Sequence, residues 1–143
     1  MALMDGPDLA AAMREAFRVL RPDGTICFSV LHPCFMTSAF DWLQSEDGSY
    51  QGCRVGHYFD KQLFDEQWHF SKRPHADKPV RKFQVPRFPR TLSDYINTLC
   101  DVGFHLTGID EPRPSAAAVQ EHPWLSRWRE HAPLVLFVSA TKM

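Results

Sequence analysis

The sequence has no apolar run near the roughly 18 residues that a membrane-spanning helix needs. Its first eight residues also lack the basic start and the apolar stretch of a secretion signal. Neither sign of charge is in excess, because 16 Lys and Arg face 17 Asp and Glu. A bulk positive charge suited to nucleic acid or to membrane surfaces is therefore missing, and we expect neither partner.

Cysteine is sparse, with four residues at irregular spacing and no C-x-x-C pair. A chain of 143 residues can build a core without disulfides, so we expect a reduced, cytoplasmic protein. Two pairs of possible metal ligands occur, His32-x-Cys34 and Cys53-x-x-x-His57. Their spacing differs from the tighter paired spacing of most zinc sites, so we predict no metal site. A G-x-S-x-G elbow and a glycine-rich phosphate loop are also missing, so hydrolase and nucleotide-binding functions have no support.

The remaining pattern is that of one α/β domain over residues 1–143. Apolar residues recur at helical spacing between residues 8 and 20, which predicts an amphipathic helix. A Pro-Asp-Gly turn at residues 22–24 follows. The next segment, Thr25 to Leu31, is nearly all apolar or β-branched, which predicts a strand buried on both faces of a parallel sheet.

The C-terminal part has equally regular signals. Thr91 can cap a helix that Gly103 ends, and strands are predicted over residues 104–109 and 134–140. A short helix is predicted from His122 to Glu130. Cys27 and Cys100 fall on apolar faces, so we expect both in the core.

Residues 35–90 lack clear periodicity and are too many for a plain loop, which indicates an inserted lid. Short strands are predicted over residues 53–59 and 80–85. The aromatic residues of the insert are candidates for an apolar ligand pocket, although they could equally form the insert's own small core. They are Tyr58, Phe59, Trp68 and Phe70.

Three segments resemble class I S-adenosylmethionine-dependent methyltransferases. Residues 15–24 read EAFRVLRPDG, close to the family's E-x-x-R-V-L-K-P-G-G segment before strand five. His32-Pro33 matches a pair found after that strand in the small-molecule, type 11-like branch. Residues 90–99 read RTLSDYINTL and, with Gly103-Phe104, resemble the helix that leads into strand six. The resemblance implies the C-terminal half of a Rossmann-like fold, with strand five and the antiparallel hairpin of strands six and seven.

This resemblance implies methyl transfer from S-adenosylmethionine to a small-molecule acceptor. It places Leu3 and Met4 in the loop that passes near the cofactor. The family's glycine-rich turn and ribose-binding acid are not found in the sequence, so we expect an incomplete cofactor site. The alternative is a non-catalytic module. The resemblance places strand 25–31 between strand four, which is not found in the sequence, and strand seven, so one edge of strand 25–31 lacks a neighbour. We expect this edge to pair in a homodimer or with a complementary N-terminal half; otherwise part of the 35–90 insert covers it, or the protein is poorly soluble.

His32 follows a strand end, where open α/β sheets bind ligands, and is our candidate for a catalytic base and substrate contact. The simpler interpretation, which we favour, is a strand-ending histidine that only hydrogen-bonds nearby backbone. The resemblance adds Tyr58, Phe59 and Arg90 as substrate-binding residues. Between residues 72 and 90 there are seven basic residues and only one acid, Asp77. This excess of positive charge best fits a solvated lid surface, next an anionic substrate, and least a nucleic acid.

Overall fold

A computed structural model describes residues 2–69 and 82–143 of the chain. Its main elements, in chain order, are α1 (Leu9–Val19), β1 (Thr25–Leu31), β2 (Ala39–Gln44), β3 (Tyr50–Gly56), β4 (Phe64–His69), β5 (Lys82–Arg87), α2 (Leu92–Val102), β6 (Phe104–Asp110), α3 (Ala116–Glu121), α4 (Ser126–His131) and β7 (Val135–Lys142). A single 3₁₀ turn, Pro123–Leu125, precedes α4. Within the described residues no helix is long and apolar enough to cross a bilayer.

The main sheet has three strands in the order β1-β7-β6, and both pairings are antiparallel. The predicted hairpin of β6 and β7 is confirmed. The prediction of a parallel strand buried on both faces is wrong for β1. In the described part of the chain its only paired neighbour is β7, and that pairing is antiparallel. Thr25 and Cys27 are exposed, while Val30 is buried. An apolar run indicates burial, but it does not fix the direction of the neighbouring strand.

Both long helices begin and end as their sequences predict. Asp8 caps α1 by accepting the Ala11 N–H at 2.8 Å. Thr91 and Asp94 form a reciprocal capping box at the start of α2. Gly103 ends α2 in a left-handed conformation, with φ of 110°, which favours glycine.

The core lies between these helices and one face of the main sheet. Its fully buried members include Met13 of α1, Leu99 of α2, and Val30 and Leu136 of the sheet. Cys27 and Cys100 are both exposed, so their predicted place in the core is wrong. Side chains alternate along a strand, and Cys27 therefore lies on the sheet face opposite to Val30.

Two antiparallel hairpins, β2–β3 and β4–β5, fill most of the predicted insert. The sequence predicts strands near β3 and β5 but not β2 and β4; the alternation in β2 is limited to Phe40, Asp41 and Trp42, and β4 has three polar residues between Phe64 and Trp68. The β2–β3 hairpin rests on α4, where the Phe40 and Trp128 rings stack with centroids 5.4 Å apart. The predicted helix from His122 to Glu130 is divided into the 3₁₀ turn and α4, and α3 was not predicted.

Candidate functional site

A cavity of about 90 Å³ opens where β1 ends, between the core and the β4–β5 hairpin. This volume has room for several water molecules but is too small to enclose a drug-sized ligand. Its walls combine apolar and polar side chains. The main apolar residues are Met4, Leu31, Pro33, Met36, Phe64 and Phe88. The main polar residues are His57, Tyr58, Asp60, Glu66, Arg87 and Arg90.

Arg87 is buried at the end of β5 and binds two carboxylates. Its Nη1 donates to Asp5 Oδ1 at 2.5 Å, and its Nε donates to Glu66 of β4. Burial of a guanidinium is costly unless its charge is compensated, and here two acids compensate it. The three side chains join the N-terminal segment to the β4–β5 hairpin.

Arg90 fixes the N-terminal segment through backbone carbonyls. Its Nη1 donates to the Leu3 carbonyl at 2.9 Å, and its Nη2 donates to the carbonyls of Gly6 and Pro7 at 2.5 and 3.1 Å. Arg90 lines the cavity, but most of its donors already serve the chain itself, and its role in substrate binding stays a prediction. Burial raises the pKa of Tyr95, and its hydrogen bond with Arg90 opposes that rise.

Met4 and Leu3, the two residues that the resemblance assigns to a cofactor loop, take different positions. Met4 is buried in the cavity wall, and its sulfur accepts the Leu31 N–H at 3.4 Å. Leu3 is half-buried against the core. The segment is thus held directly beside the cavity by Arg90 and by the end of β1.

The aromatic residues predicted for a pocket divide into three cases. Tyr58 lines the cavity, and its hydroxyl accepts the Leu92 N–H at the start of α2 at 2.9 Å. Burial raises the pKa of Tyr58. Phe59 is 81% exposed and is not among the residues that line the cavity; its ring meets that of Tyr58 edge-on, with centroids 5.0 Å apart. The side chain of Trp68 and all of Phe70 lie outside the described residues.

His32 is buried outside the cavity lining. Its Nδ1 accepts the Cys34 N–H at 3.2 Å, so Nε2 carries the proton and donates to Glu111 Oε1 at 2.6 Å. Neither nitrogen keeps a lone pair for a substrate. Its role as a base stays a prediction that this geometry does not favour, and the alternative of a histidine bonded to its neighbours describes the contacts.

The basic segment is only partly described, because Lys72, Arg73, Lys78 and Arg81 lie outside the described residues. Of the remaining bases, Arg87 and Arg90 bind groups of the chain itself. Sequence reasoning missed the link between Asp5, Glu66 and Arg87, since no local pattern connects three positions so far apart in the chain. It considered His57 only as a metal ligand, whereas His57 lines the cavity with its Nδ1 3.4 Å from Ser38 Oγ.

Comparison with known proteins gives matches among solved structures. No family model and no curated protein matches the chain. A crystal structure from Listeria monocytogenes assigned as an S-adenosylmethionine-dependent methyltransferase is 26% identical, with a TM-score of 0.74 over 100% of this chain. An S-adenosylmethionine-dependent methyltransferase from Mesorhizobium loti is 24% identical, with a TM-score of 0.72 over 99% of this chain.

The chain spans 59% of the length of each of these two structures. The predicted resemblance is therefore confirmed: the chain has the fold of part of an S-adenosylmethionine-dependent methyltransferase.

Proposed function

We propose that this chain, with its partial methyltransferase fold, forms the acceptor side of a site for methyl transfer to a small molecule. The observation that carries the proposal is the cavity at the end of β1, within a fold that matches methyltransferases over the whole chain. Ligands of open α/β sheets bind at such strand ends. The size of the cavity, about 90 Å³, supports a small acceptor or one small group of a larger molecule.

S-adenosylmethionine, when bound, supplies a sulfonium methyl group that passes to a nucleophilic atom as the C–S bond breaks. Segment 2–7 offers this cofactor backbone groups and the apolar side chains of Leu3 and Met4, while Asp5 is engaged with Arg87. These residues fit one wall of a cofactor site and not a complete one. The contribution of this chain is to bind and orient the acceptor and to exclude water from it.

The test is a calorimetric titration of the chain with S-adenosylhomocysteine. We expect saturable binding with a Kd weaker than about 100 μM, because only one wall of the cofactor site is formed. Adenosine and homocysteine, titrated separately, are the controls for unspecific binding of either half of the ligand. Absence of saturable binding at millimolar ligand would contradict a methyl-transfer function for this chain.

A second candidate is a non-catalytic module that pairs through the outer edge of β1. This seven-residue strand carries no charge and no proline, and such edges readily add another strand. The proposed partner is a second copy of the chain, or a complementary methyltransferase half. Light scattering on the calorimetry sample gives the mass: a dimer that Cys27→Lys converts to a monomer supports this candidate, and a wild-type monomer contradicts the homodimer.

The four free cysteines support a reduced, cytoplasmic setting.

A further inference from the structure

We propose that the cavity binds an organic amine in its ammonium form, held by carboxylates and by aromatic and methionine side chains. This inference rests on the proposed function where it makes that amine the methyl acceptor. Before the transfer the bound ammonium loses one proton to solvent, and the lone pair of the resulting neutral amine nitrogen forms the new N–C bond. The C–S bond of the sulfonium would break with its electron pair kept by sulfur, and the methylated product keeps a single ammonium charge.

The cations of the cavity are already engaged, which leaves little to attract an anionic ligand. Arg87 donates to both Asp5 and Glu66, and Arg90 donates to three backbone carbonyls. At the start of α2, the N–H groups of Thr91, Leu92 and Asp94 are also bound, by Asp94, Tyr58 and Thr91 respectively. An acidic acceptor would therefore compete with the protein's own groups for most of the donors at these three places.

Among the described residues, the carboxylates keep oxygens without a donor. Arg87 Nε donates to Oε2 of Glu66, and no described residue donates to Oε1. Asp60 lines the cavity and uses Oδ1 for the Gln62 N–H, and no described residue donates to its Oδ2. With Asp5 included, three described carboxylates face two described arginines around the cavity, which gives these five residues one net negative charge. A positively charged ligand is the one that this balance favours.

The apolar walls suit the carbon groups of such an amine. Phe64, Phe88 and Tyr58 present aromatic rings, and Met4 and Met36 present polarisable sulfur atoms. Rings combined with carboxylates are the usual surroundings of alkylammonium groups in proteins, because the ring face attracts a cation while the acid binds its charge. The volume of about 90 Å³ limits the enclosed part to a small alkylammonium group.

The experiment compares three probes of nearly equal shape by titrating isotopically labelled protein and following its amide resonances. Choline is the cation. The neutral probe is 3,3-dimethyl-1-butanol, in which a tert-butyl group replaces trimethylammonium. The anionic probe is 3,3-dimethylbutanoate, which carries the same tert-butyl group next to a carboxylate arm. We expect choline to bind saturably and about tenfold more tightly than either isostere. Equal affinity for the neutral alcohol, tighter binding of the anion, or no saturable binding of choline would overturn the inference.

Carboxylate variants locate the effect. Glu66→Gln is expected to weaken choline binding about tenfold and Asp60→Asn about threefold. Glu46→Gln, an exposed acid in the β2–β3 turn, is the matched control and should leave binding unchanged. If Glu66→Gln does not fold, Asp60→Asn decides alone, and choline affinity unchanged in that variant overturns the inference.

S-adenosylhomocysteine binding on the same samples separates the two proposals. If S-adenosylhomocysteine binds but choline is not preferred over its isosteres, the amine inference is overturned and the proposed function stands. If choline is preferred but S-adenosylhomocysteine does not bind, the proposed function is overturned and the amine-binding site stands.

Discussion

Replacement of Arg87 by methionine is expected to lower the free energy of unfolding by about 2–3 kcal/mol. The variant keeps much of the side-chain volume but leaves the carboxylates of Asp5 and Glu66 close together without their shared cation. Breaking a fully buried ion pair costs about 3–5 kcal/mol, and we reduce this range because these carboxylates are 35% and 31% exposed. Urea denaturation followed by circular dichroism measures the change.

Two controls make the Arg87 result specific. Arg54→Met removes an exposed ion pair with Asp41 and should change stability by less than about 0.5 kcal/mol. The triple variant Asp5→Asn, Glu66→Gln, Arg87→Met removes all three charges together and should recover at least half of the lost stability. A loss below about 0.5 kcal/mol for Arg87→Met alone would show that this cluster does not hold the hairpin to segment 2–7.

Leu136→Ala is expected to cost about 3 kcal/mol of unfolding free energy. Leu136 lies in the central strand β7 with no exposed surface, and its side chain points into the core beneath α1 and α2. The substitution removes buried apolar contacts and leaves a cavity that the surrounding sheet and helices can only partly fill.

The neighbouring residue provides the matched control for Leu136. Phe137 follows it directly, faces the other side of the sheet and is 46% exposed. Phe137→Ala should therefore cost only about 1 kcal/mol, although the deleted side chain is larger. If both variants lose equal stability in the same urea titration, the two sheet faces do not differ in burial as described.

The elements with strong local signals could be predicted from the sequence. α1 and α2 combine helical periodicity with a capping residue, and β6 and β7 are apolar segments between clear turns. The neighbour of β1 follows from the resemblance, which places the last strand beside it, whereas the apolar run of β1 alone fits a parallel or an antiparallel neighbour equally well. The hairpin strands β2 and β4 are stabilised by tertiary contacts, such as the Trp42 and Trp128 rings, that no local pattern contains.

The candidate site was predictable only in part. Tyr58, Met4 and Arg90 lie in the cavity wall, while their roles in binding substrate or cofactor stay predictions. The role of His32 could not be derived, because the tautomer of a histidine depends on partners such as Glu111, which is 79 residues away. The same holds for Arg87, whose two acids come from the N-terminal segment and from another strand.

The central claim is that the cavity beside Met4 is the acceptor side of a methyl-transfer site. Its most direct test is an amide proton–nitrogen spectrum of the labelled chain during titration with S-adenosylhomocysteine. The account predicts that the resonances of Met4, Leu31, Tyr58 and Arg90 shift together and saturate, while those of α3 stay in place. Shifts confined to α3 and the β2–β3 turn, or none at millimolar ligand, would contradict it.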